Sequence, residues 1–180
     1  YIVKRIILLI LLSSISIITF AQDSPVFGLK AGLNLSELSR TAGALYSTQL
    51  LPGYNFGGVL DIAVDNDFSL QPGFLISTKG GRNAYRLDSF YGTAKVTLNY
   101  IEIPVNLLYH LPAGKGKVFF GGGPYLGYGL SSTRGYTGDG AAGGQTQFGD
   151  GLYDLKRVDM GINMMFGYKF RNGIAFDLNY

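Results

Sequence analysis

From Phe27 the odd positions carry Phe27, Leu29, Ala31, Leu33 and Leu35, and the even ones carry Gly28, Lys30, Gly32, Asn34 and Ser36. A side-chain period of two predicts a strand with one apolar face. The pattern returns along the chain. Tyr54, Phe56, Leu60, Ile62 and Val64 stand against Asn55, Gly57, Asp61 and Ala63. Phe68, Leu70, Phe74 and Ile76 oppose Ser69, Gln71, Gly73 and Ser77. Ile101, Ile103, Val105, Leu107 and Tyr109 oppose Glu102, Asn106 and His110. Val118, Phe120, Leu126, Tyr128 and Leu130 oppose Gly121, Gly123, Gly127 and Gly129. Val158 to Phe170 alternates around Asp159, Gly161, Asn163 and Lys169, and Ile174 to Tyr180 around Ala175, Asp177 and Asn179. The reading is all-β: seven strands and no amphipathic helix.

The face opposite the apolar one decides where the protein sits. A soluble sandwich or barrel buries its apolar face and needs charge on the other. Here the other face is Gly, Ser, Asn and Gln with a charge at intervals. Small, sparsely charged side chains suit the inside of a narrow barrel, and the apolar face then meets lipid. The expected fold is an antiparallel up-and-down transmembrane β-barrel.

Connector lengths test this separately. Such barrels alternate short periplasmic turns with long external loops. The expected connectors are long for Ser36–Gly53, short for Asp65–Asp67, long for Lys79–Asn99, short for Leu111–Lys117, long for Ser131–Arg157 and short for Arg171–Gly173. The periplasmic rim is expected to collect Phe27, Phe68, Tyr109, Phe120, Tyr168 and Phe170. The external rim is expected to collect Tyr54, Tyr100 and Tyr128, as aromatic girdles require. In the fourth strand Val96, Leu98 and Tyr100 are apolar on even numbers, and odd numbers take over at Ile101. Either a bulge near Asn99–Ile101 shifts the parity, or the strand before Tyr100 is a stalk above the membrane. Pro104 is expected to face inward and to remove one ladder donor.

The first 21 residues differ from the rest. Lys4-Arg5 precedes an apolar run from Ile6, and Ala21 closes it, which reads as a secretory signal cut after Ala21. Its 15 residues from Ile6 to Phe20 include several hydroxyls, short of the ~20 a spanning helix needs. The expected domains are thus a signal at 1–21 and a barrel at 22–180. Bacterial single-chain barrels have even strand numbers from eight upward. The alternating run still in progress at Tyr180 leads to the expectation of eight strands in the full chain, with an eighth returning to pair with the first.

Composition narrows the chemistry. Only 15% of residues are charged and 27 of 180 are Gly, with 13 Tyr and 12 Phe. No Cys and a single His exclude disulfides, thiolate chemistry and multi-His metal sites. Lys4 and Arg5 aside, 13 basic residues face 12 acidic ones, no footprint for nucleic acid. No cofactor motif is present.

Four segments carry a resemblance: Phe27-Gly28-Leu29-Lys30-Ala31-Gly32-Leu33-Asn34, Tyr100-Ile101-Glu102-Ile103-Pro104-Val105, Gly122-Gly123-Pro124-Tyr125-Leu126-Gly127 and Asp159-Met160-Gly161-Ile162-Asn163. From Val26 to Tyr180 the chain resembles the PorT-type outer-membrane β-barrel proteins of the Bacteroidetes. That resemblance implies an outer-membrane location and, from one member type, an accessory part in an envelope secretion system.

Candidate site residues are few. Lys30, Asp61, Glu102, Asp159, Lys169 and Asp177 are expected inside the barrel. Charges enclosed there should pair and leave no large pore, because unpaired burial is costly. His110 lies at the periplasmic end with no local partner; Glu102, eight residues away, is about 26 Å along a strand. It is expected to be an interfacial rim residue rather than a catalytic one. Asp139-Gly140 and Asp150-Gly151 lack the ligand spacing of a calcium loop, and Ala113–Lys117 is a turn rather than a phosphate loop. The expected function is a non-enzymatic envelope protein, structural or interaction-mediating. Its partners would be outer-membrane lipid and envelope or secretion proteins. A soluble ligand-binding barrel and a lipid-acting barrel enzyme are the alternatives.

Overall fold

The computed structural model describes residues 24–36, 48–87, 90–138, 148 and 156–180. The signal segment and the Asp139-Gly140 and Asp150-Gly151 pairs lie outside the described residues.

Seven antiparallel strands follow one another in a single sheet of order β1 to β7. They are β1 (Val26–Ser36), β2 (Thr48–Ala63), β3 (Phe68–Leu87), β4 (Phe90–Ala113), β5 (Gly116–Gly138), β6 (Val158–Phe170) and β7 (Ala175–Asn179). Each strand pairs only with its chain neighbours, the up-and-down topology. Three tight turns join β2 to β3, β4 to β5 and β6 to β7 at one end of the sheet. In the first, Asp65 Oδ1 accepts from the backbone N–H of Asp67 at 2.8 Å and of Phe68 at 2.7 Å. The other two use left-handed glycines, Gly114 at φ 57° and Gly173 at φ 89°, where a Cβ would strain the backbone.

The sheet curls so far that β1 and β7 approach each other. Lys30 on β1 reaches Asp177 on β7 at 2.7 Å. No ladder joins the two strands among the described residues. A cavity of about 530 Å³, lined by residues of both strands, lies along this seam.

The strands at the centre of the sheet are longer than their apolar alternation. β3, β4 and β5 have 20, 24 and 23 residues, against the 9–11 a tilted strand needs to cross a bilayer. The expected long connector from Lys79 to Asn99 is therefore a β-hairpin: Lys79 pairs with Leu98 and the ladder continues to Leu87 and Phe90. The first and third connectors also lose residues to strand, since β2 starts at Thr48 and β5 runs to Gly138. Local alternation had hidden this, because beyond the membrane-length segment the apolar residues move to the other face.

The bulge lies at the expected level, between Asn99 and Tyr100, but its extra residue is on the partner strand. Asn99 pairs with Ser131 and Tyr100 with Gly129, so the extra residue is Leu130 on β5. Along β4 the even residues face inward from Val96 to His110 without a break. The stalk reading of Val96, Leu98 and Tyr100 is the one that fits this continuity. Tyr100 is buried, and it leaves the expected external rim to Tyr54 and Tyr128. Pro104 is buried facing inward, and the β3–β4 ladder is interrupted opposite it, between Pro72↔Val105 and Leu75↔Glu102.

Candidate functional site

Two surfaces define the molecule: an outward apolar belt and an inward polar core. On β3 the belt runs Phe68, Leu70, Pro72, Phe74, Ile76, and on β4 it runs Ile101, Ile103, Val105, Leu107, Tyr109. Eight residue steps make about 26 Å along the strand, or some 20 Å of height at a tilt near 40°, close to the belt of known barrels. Phe27, Leu29, Leu33, Ile162, Phe176 and Leu178 continue it, each more than half exposed. In water such a surface would be an aggregation site; facing lipid it is the favourable arrangement.

Aromatic rings edge the belt at the turn end. Phe68 stacks on Tyr109 at 4.8 Å and Tyr109 on Phe120 at 5.4 Å, while Tyr168 meets Phe170 at 4.8 Å. At the opposite edge the row Thr78, Asn99, Ser131 is hydrogen-bonded across three strands. The Thr78 hydroxyl donates to Asn99 Oδ1 at 2.9 Å, and the Asn99 amide to Ser131 Oγ at 2.9 Å. Apolar side chains stop there because the neighbouring medium changes.

Inside, cations and acids from strands far apart in sequence meet. Lys30 pairs with Asp177 at 2.7 Å and Lys169 with Asp61 at 2.9 Å. Lys79 lies 2.5 Å from Glu102 and 3.5 Å from Asp159. All six sequence-predicted charges therefore take part in a pair. Lys79, the partner of Glu102 and Asp159, lies at the start of the stretch expected to be a long connector. The signal that could have found it is the continued inward series Ser69, Gln71, Gly73, Leu75, Ser77, Lys79. Lys79 also sits 4.7 Å from the centre of the Tyr125 ring, and Tyr125 donates to Asp159 at 3.2 Å.

Inward glycines make room for this filling. A Cβ at Gly161 would come within 2.7 Å of the Tyr125 ring, and one at Gly167 within 2.4 Å of Phe119. Tyr125 and Phe119 thus lie across the floor that small residues leave open. Leu108, Phe119 and Met165 form a buried cluster on the turn side of the Lys79–Glu102–Asp159 contacts. The polar void beside Glu102, Asn106, Tyr125 and Asn163 has about 90 Å³, space for a few waters.

A wider cavity of about 860 Å³ opens at the turn end, near Asp61, Ser69, His110, Lys117, Lys169 and Arg171. His110 is only 9% exposed and faces into the barrel, which corrects its expected place on the rim. Its partner comes from the neighbouring strand: Ser69 Oγ lies 2.8 Å from His110 Nε2. Which of the two groups donates in this hydrogen bond depends on the imidazole tautomer. The other ring nitrogen, Nδ1, has no hydrogen-bond partner among the described residues. The Lys169–Asp61 ion pair ties β6 to β2, and the Ser69–His110 hydrogen bond ties β3 to β4. No cluster of metal-ligating side chains occurs among the described residues.

The belt outside, the ion pairs inside and the turn-and-hairpin topology agree with one comparison. The family model described as outer membrane protein beta-barrel domain matches residues 20–180. The chain belongs to this outer-membrane β-barrel family. No curated protein and no solved structure matches it. Membership explains why no helix among the described residues is long and apolar enough to cross a membrane. An outer-membrane barrel crosses with strands, whose backbone groups are satisfied by their neighbours.

Proposed function

We propose that this outer-membrane barrel is a plugged, non-enzymatic protein of the cell envelope, structural or interaction-mediating. The tight turns face the periplasm and the long β3–β4–β5 extension faces outward. The observation that carries the reading is the filled interior: four ion contacts and the Tyr125 ring close the cross-section around a void of about 90 Å³. An eight-strand interior is just filled by side chains. Among the described residues β1 and β7 share no ladder, and the Lys30–Asp177 ion pair bridges them. Export through the signal at 1–21 belongs to the same reading.

Planar-bilayer recording tests it. No stable, porin-sized conductance is expected; such a conductance would overturn the plugged barrel. Fractionation should recover the protein only with detergent, and recovery from the soluble periplasm would remove the membrane reading altogether. The accessory secretion role implied by the PorT-type resemblance has one observation in its favour. The extension continues the paired sheet past the belt and offers a face to a protein contact. Co-purification of an envelope partner that is lost when residues 80–97 are deleted supports that role, and retention of the partner refutes it.

A further inference from the structure

Beyond the Thr78–Asn99–Ser131 row the outward face of the sheet changes character. It presents Thr97 and Thr133, then Gln49, Arg82, Lys95 and Gly135 in one register row. Arg82 and Lys95 are exposed and stand directly opposite each other on β3 and β4. Like charges opposed across a ladder repel. Among the described outward-facing residues of the extension there is no acid, and among the described residues neither cation has an ion-pair partner. Inside the barrel every cation of the network has its carboxylate. This pair, on the same sheet, is left positive amid hydroxyl and amide groups, which is the chemistry that holds a phosphorylated sugar.

Height selects the occupant. Arg82 lies six residues past Ile76, and Lys95 six before Ile101. That is about 20 Å along the strand and roughly 15 Å along the membrane normal at a tilt near 40°. The phospholipid head-group layer is only about 5–8 Å deep on each side. A head group built of several sugars reaches Arg82 and Lys95; a phospholipid phosphate does not. The face is also continuous with the belt, so a lipid whose acyl chains lie on Ile76 and Ile101 directs its head group along it.

We propose that Arg82 and Lys95, on the outward face of the β3–β4–β5 extension, bind the phosphorylated sugar head group of an outer-leaflet glycolipid. The proposal rests on the extension facing outward. That part is tested by itself: the chain has no native cysteine, so Thr133→Cys gives a single label site on the extension. Labelling by an impermeant maleimide on intact cells is expected, and protection until the cells are opened refutes the orientation.

Binding is measured separately on the purified full chain in proteoliposomes. The probes are a glycolipid with a phosphorylated core oligosaccharide, the same glycolipid after phosphatase treatment, and phosphatidylglycerol. The phosphorylated glycolipid should bind and raise the thermal midpoint; the other two should not. Arg82→Gln with Lys95→Gln should weaken binding roughly fivefold to tenfold, as expected for two exposed charge contacts. The charge-keeping exchange Arg82→Lys with Lys95→Arg should retain most of it. Unchanged affinity in the double Gln variant, or equal response to phosphatidylglycerol, would overturn the site while leaving the barrel reading intact.

Discussion

From Ile101 to Tyr109, β4 turns Ile101, Ile103, Val105, Leu107 and Tyr109 outward and Glu102, Asn106 and His110 inward. From Lys95 to Tyr100 the same strand turns Lys95, Thr97 and Asn99 outward and packs Val96, Leu98 and Tyr100 inward with Phe148. The parity never changes; the outward face of β4 turns from apolar to polar, and its inward face from mixed, with Leu108 beside the polar groups, to apolar. In the belt the outside medium is hydrocarbon, so apolar groups face out and polar groups find partners within. Past the belt the apolar groups have nowhere dry to go but inside. One continuous strand therefore serves two solvents, and the switch occurs at the hydrogen-bonded Thr78–Asn99–Ser131 row.

The largest effect should come from truncating the inward apolar cluster of the extension. Leu98 is 2% exposed, and Leu98→Ala should cost about 3–4 kcal/mol of local stability. Limited proteolysis should cut the extension while the belt stays protected. Equal loss in both regions would show that the two are one cooperative unit. Next is a charge on the belt. Ile103→Arg should cost about 3 kcal/mol in vesicle-based unfolding. Thr133→Arg, outward on the extension, should stay within about 0.5 kcal/mol. Similar costs at both positions would erase the proposed boundary.

A third test concerns the interior. Lys79→Met leaves Glu102 and Asp159 without their cation and should cost about 2–3 kcal/mol, somewhat below the fully buried range because Lys79 is partly solvated. Adding Glu102→Gln should recover much of that loss, a coupling that a double-mutant cycle measures. Strict additivity would mean that the pair contributes nothing. The smallest effect is steric. Gly161→Ala pushes the Tyr125 ring off its seat and should cost about 1–2 kcal/mol. Gly135→Ala, where a Cβ would meet nothing within 4 Å, should be neutral in the same unfolding assay.

Much of this was legible in the residues because period-two alternation is a local property. The seven strands, the tight turns at Asp65–Asp67 and Arg171–Gly173, and the inward placement of Lys30, Asp61, Glu102, Asp159, Lys169 and Asp177 all follow from it. The rims were only partly legible: Phe68, Tyr109 and Phe120 form a row, but Tyr100 faces the core. His110 was misplaced because its partner Ser69 is 41 residues away. Distance along the strand from Glu102 says nothing about the strand alongside.

By itself the sequence determined the fold class, the face that meets lipid and the end that carries the turns. Those depend on which side of a pleat each residue takes, and neighbours in sequence decide that. The tertiary structure decided which cation meets which acid, how far β3, β4 and β5 continue beyond the belt, and that the bulge belongs to Leu130. Each of these depends on cross-strand register, a relation between residues distant in the chain. Lys79 shows the difference: counted along the chain it begins a loop, but paired across the sheet it holds Glu102 and Asp159 together at the centre of the barrel.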